Sequence, residues 1–138
     1  MKNVIISIKG RRELDNETEP IELVTNGEYS YSEGETVFSY MESELTGLEG
    51  TKTTFRIRPE LVTLTREGTF SSQMVFQEGK KHFFLYNTPY GSSTMGVNTR
   101  SISHGLGEHG GNMELCYSID VDHVSLGKTE FQIQVREA

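Results

Sequence analysis

Residues 21–31 read IELVTNGEYSY, and their spacing decides the fold. Ile21, Leu23, Thr25, Gly27, Tyr29 and Tyr31 share one phase, while Glu22, Asn26, Glu28 and Ser30 share the other. Successive side chains of a strand point to opposite faces, so an alternation of this length predicts one long strand with one wet face. Gly27, inside the run, predicts a bend or bulge.

The same period continues in both directions. Val4, Ile6 and Ile8 mark a first strand, followed by a Glu- and Asn-rich loop at 13–19. Further strands are expected at 37–44, at 53–58 (Phe55 and Ile57 against Thr54, Arg56 and Arg58), at 61–67, 70–77, 81–88 and 92–103. Met113, Leu115, Tyr117, Ile119 and Val121 alternate with polar residues, as do Phe131, Ile133 and Val135. Glu33-Gly34-Glu35, Pro59-Glu60, Glu67-Gly68 and Glu78-Gly79 read as turns. No window of helical length carries a 3.6-residue period with a cap.

The chain of 138 residues is therefore expected to form one all-β domain spanning 1–138, with roughly eight to ten antiparallel strands in meander order. Closing such a meander into an up-and-down barrel removes the exposed edges. A two-sheet sandwich needs longer crossovers, which only 13–19 and 104–112 offer.

Composition narrows the function. Twenty acids against 13 bases leave a net charge of −7, which repels phosphate backbones and anionic lipid surfaces, so neither nucleic acid nor a membrane is an expected partner. Cys116 is the only cysteine, which suits a reducing compartment. The apolar run near the start is short and broken by Ser7 and Lys9, unlike a secretory leader, so a cytoplasmic location is expected. No cofactor motif is legible. GSSTMG at 91–96 lacks the lysine of a phosphate loop, and no nucleophile elbow occurs.

The stretch HGLGEHGG at 104–111 concentrates candidate ligands. His104, Glu108 and His109 are the alternative metal site, but four glycines oppose the rigid scaffold that zinc ligands need, and the preferred reading is a hairpin connection. Asp120 and Asp122 resemble the start of a calcium loop whose remaining ligands are missing. Glu42 and Glu44, or Glu22 and Glu28, share strand faces, as pairs drawn from 20 acids will by chance.

The segment YNTPYGSSTMGVNT at 86–99, preceded by KHFFLYN, resembles the central motif of the YwiB-like family, and ISIKGRR near the start and EFQIQVRE near the end are also similar. The resemblance covers nearly the whole chain. It implies a small bacterial protein with a calycin-type, lipocalin-like β-barrel, and it implies no catalytic residue.

Function then rests on the barrel interior. Tyr29, Tyr31, Phe84, Tyr86, Met95 and Tyr117 lie on the apolar phase, where polar-tipped rings and a methionine line a pocket for a small amphipathic ligand or simply fill the barrel. Arg56 and Arg58 would pair with a ligand carboxylate. The alternative is a module that docks a protein partner or a second copy on its outer face or a strand edge, around a filled core. Enzymatic activity is not expected.

Overall fold

The computed structural model of the protein describes residues 1–44 and 47–138, and among these every regular element is a strand. They are β1 (Lys2–Leu14), β2 (Glu17–Ser32), β3 (Glu35–Met41), β4 (Thr51–Arg58), β5 (Leu61–Gly68), β6 (Ser72–Phe76), β7 (Lys81–Thr88), β8 (Gly91–Gly107), β9 (Gly110–Val121) and β10 (Val124–Glu137). Their spatial order is β6-β5-β4-β3-β2-β1-β10-β9-β8-β7. Two meanders, β1 to β6 and β7 to β10, are thus joined where the first strand pairs with the last, Ile6 opposite Val135.

The remaining edges, β6 and β7, meet across a narrow seam. Ser71 and Asn87 exchange backbone hydrogen bonds of 3.0 and 2.9 Å, and Gly79 N–H donates to the Thr99 carbonyl at 2.9 Å. The result is a nearly closed ten-stranded up-and-down barrel, which leaves little edge for unwanted pairing.

The turns explain two departures from the sequence expectation. The loop expected at 13–19 contracts to Asp15-Asn16, because the β1–β2 ladder runs on to Leu14 opposite Glu17. Asp15 (φ 51°) and Asn16 (φ 67°) are both left-handed, as are Asp122 (φ 52°) and His123 (φ 67°) between β9 and β10. Two successive left-handed residues give the hairpin turn whose twist matches the strands, and Asp and Asn tolerate that conformation.

The second departure concerns bulges. Gly27 pairs in unbroken register with Val4, and the register shifts instead between Thr99 and Ser101 and between Ser125 and Lys128. Glycine is needed at 27 because a Cβ there would collide with the Ser39 carbonyl of β3 and the Ile6 side chain.

The interior has two different ends. At one, Val4, Phe38, Ile57, Val62, Phe76, Met113 and Val135 are buried and pack together, with the Phe38 and Phe55 rings stacked at 4.9 Å. Tyr29 belongs to this end. Its hydroxyl donates to the Gly107 carbonyl at 2.6 Å, tying β2 to β8 across the barrel. Burial, aided by the neighbouring Tyr31, raises the Tyr29 pKa. Tyr29→Phe should cost about 0.5–1.5 kcal/mol in urea unfolding, the magnitude of one part-buried hydrogen bond.

Toward the opposite end, Thr51, Thr53, Ser72, Thr99, Thr129 and Glu42 are buried among the apolar side chains. The barrel is polar where it opens.

Candidate ligand site at the open end of the barrel

The open end is built from the C-terminal ends of β1, β3 and β5 and the N-terminal ends of β2, β4 and β10. A cavity of about 360 Å³ lies there. Ile8, Leu23, Phe55, Leu64, Phe131 and Ile133 form its apolar wall, and Arg12, Glu19, Tyr40, Glu42 and Arg66 supply polar groups, with Glu22 at the rim. Each of the five extends the inward phase of its strand: Arg12 follows Ile8, Glu19 precedes Leu23, Tyr40 and Glu42 follow Phe38, and Arg66 follows Leu64.

Glu42 is the most enclosed of the charges, at 7% exposure. Its backbone N–H donates to the Thr51 carbonyl at 2.8 Å, which extends the β3–β4 ladder and fixes the residue. Its Oε1 accepts a hydrogen bond from the Thr53 hydroxyl at 2.7 Å. Its Oε2 is buried with no hydrogen-bond partner, and the same holds for Nε of Arg66. Tyr40, beside Glu42 and Thr53, has its pKa driven far up by burial and then by the Glu42 charge, although the Arg66 guanidinium opposes the shift. Tyr40 is therefore a permanent hydroxyl donor.

Tyr117 sits beneath this cluster, its ring 4.9 Å from Phe76 and 6.0 Å from Phe131. Burial raises its pKa against the opposing effects of Arg66, Arg12 and a hydrogen bond with Thr129.

The residues proposed from sequence are scattered by comparison, and none of the eight lines the cavity. Tyr29 closes the packed end, and Tyr31 is 47% exposed beyond it. Phe84 is buried in the core, with Tyr86 and Met95 packed against it, and Tyr86 stacks on Phe70 at 6.3 Å. Arg56 and Arg58 face outward and pair with Glu35 at 3.6 and 2.7 Å. Their place follows from the alternation, since they are out of phase with Phe55 and Ile57. The signal for the interior groups was equally plain: a charge on the apolar phase near a strand end.

The histidine stretch forms a hairpin. Gly107 pairs with Gly110, leaving Glu108 and His109 as the turn. His109 Nδ1 lies 2.8 Å from Glu137 Oε1, and the Lys2 ammonium donates to Glu137 at 3.1 Å and to the Glu108 carbonyl at 2.9 Å. These partners lower the Glu137 pKa, His109 first. His104 is exposed on β8, and among the described residues no three His, Cys, Asp or Glu side chains are grouped to hold a metal ion. Nor is any helix of the described residues long and apolar enough to cross a membrane.

Known proteins place the chain more closely. The crystal structure of ywiB protein from Bacillus subtilis superposes with a TM-score of 0.89 at 23% identity, over 99% of this chain and 92% of that one, which shows a shared fold. No curated protein matches the sequence. A family model described as a domain of unknown function, DUF1934, matches residues 6–133. The chain belongs to the DUF1934 family.

Proposed function

We propose that the protein binds a small amphipathic molecule in the open end of its barrel. The observation that carries this reading is the cavity itself. Its volume of about 360 Å³ falls in the range of ligand pockets, its lining joins apolar side chains to polar ones, and buried atoms of Glu42 and Arg66 beside it have no hydrogen-bond partner. An unpaired buried polar group costs about 1–3 kcal/mol, so two charged side chains with such atoms at one cavity suit a site that a ligand completes. The meander closure suits the calycin-type barrels that the sequence resembles, and the lone Cys116 suits action in the cytoplasm.

A second reading, docking of a protein partner on the outer face, draws on Phe83 and Leu85. They are 69% and 51% exposed on β7 beside the seam.

Titration with the neutral dye N-phenyl-1-naphthylamine separates the two. Saturable fluorescence enhancement at one dye per chain is expected, and it should be abolished in Leu23→Trp, where an indole occupies the cavity. Enhancement that persists in the filled variant, or none in the wild type, would move the weight to the outer face.

A further inference from the structure

We infer that the ligand of the open end is a zwitterion with an apolar tail, its ammonium group held by Glu42 and its anionic group by Arg66, as in an apolar amino acid. This inference rests on the reading of the open end as a ligand site.

Two charged side chains at the open end have buried atoms without partners. Glu42 keeps one carboxylate oxygen on Thr53 and the other on nothing, and Arg66 leaves its Nε unused. Among the described residues no ion pair joins the two side chains or ties either to another charge. Arg12 and Glu19, opposite one another on β1 and β2, and Glu22 border the same cavity from its exposed rim. Glu42 and Arg66 are the charged side chains of this lining that have a buried atom without a hydrogen-bond partner.

Chemistry then selects among amphiphiles. An isolated charge in a water-poor site is costly, so the favoured ligand neutralises both groups together. A fatty acid or other anion would satisfy Arg66 and be repelled by Glu42. An alkylamine would do the reverse. A molecule carrying both charges meets both, and its tail meets Phe55, Leu64 and Phe131. The cavity volume fits one such molecule of amino-acid size.

The test is displacement of N-phenyl-1-naphthylamine from the intact protein by three probes of matched tail: L-phenylalanine, 3-phenylpropionate and phenethylamine. Phenylalanine is expected to displace the dye at concentrations at least tenfold lower than either singly charged probe. Glu42→Gln should weaken phenylalanine about tenfold or more while leaving 3-phenylpropionate equal or tighter. Arg66→Gln should weaken phenylalanine and spare phenethylamine. Circular dichroism checks that both variants keep the barrel. Equal potency of the three probes, tighter displacement by 3-phenylpropionate, or no displacement by phenylalanine overturns the inference. If the dye still binds the wild type and not Leu23→Trp in that case, the site reading stands and only the zwitterion is lost. If the dye never binds, both fall.

Discussion

Phe76→Ala is expected to destabilise the protein by about 3–5 kcal/mol, the range for removing a fully buried aromatic ring. Phe76 has 0% exposure and packs on Tyr117, which β9 contributes from the far side of the seam. It ends β6, which has five residues and pairs by a full ladder only with β5. Closure between β6 and β7 otherwise relies on the Ser71–Asn87 bridge and the turn contacts at Thr99. Losing the ring therefore removes core contact at the place where the barrel is least held by backbone hydrogen bonds. Phe83→Ala is the control. That ring is 69% exposed and its one notable neighbour is the Lys81 ammonium, 5.1 Å from the centroid, so its loss should cost less than about 1 kcal/mol. Urea unfolding that gave the two variants the same midpoint would contradict this picture of the core.

The second large effect is an alkaline transition. Tyr29, Tyr40 and Tyr117 all have pKa values raised above the ordinary 10.0, chiefly by burial. Above pH 10 the unfolded chain releases these three protons while the folded barrel retains them. The unfolded state then binds fewer protons, so stability falls as pH rises. The slope is up to about 1.4 kcal/mol per pH unit for each group, or roughly 4 for the three together, while the stability they confer is fully present below pH 10. Tyrosinate absorbance should consequently include a cooperative step that coincides with loss of the β-sheet circular dichroism signal. Smooth titration of all six tyrosines with the barrel intact would show that the three hydroxyls are not shielded.

Most of the fold was legible in the alternation. The inward phases of β1, β9 and β10 are those that Val4, Met113 and Phe131 announce. Two-residue periodicity does not mark where a ladder stops, so the hairpin at Asp15-Asn16 looked like a longer polar loop. Nor does it separate a glycine needed for close approach from one at a bulge, which is why Gly27 was misleading and the register shift beside Arg100 was not foreseen.

The site was less legible for a different reason. Glu42 and Arg66 come from strands that are not neighbours, and single-strand periodicity does not show which strand ends meet at one mouth. Aromatic residues on the apolar phase drew attention instead, and most of them serve the packed core. Arg56 and Arg58 show that a guanidinium one residue out of phase belongs to the surface, here to Glu35.

Occupancy of the open end by a small molecule is read without any probe by native mass spectrometry. The wild type and Leu23→Trp, isolated side by side from cells without denaturation, should differ in one respect. The wild type should carry a discrete additional mass of amino-acid size, up to a few hundred daltons, that is lost on denaturation, and the filled variant should show the bare polypeptide. The same bare mass for both proteins, or the same adduct on both, would contradict such occupancy.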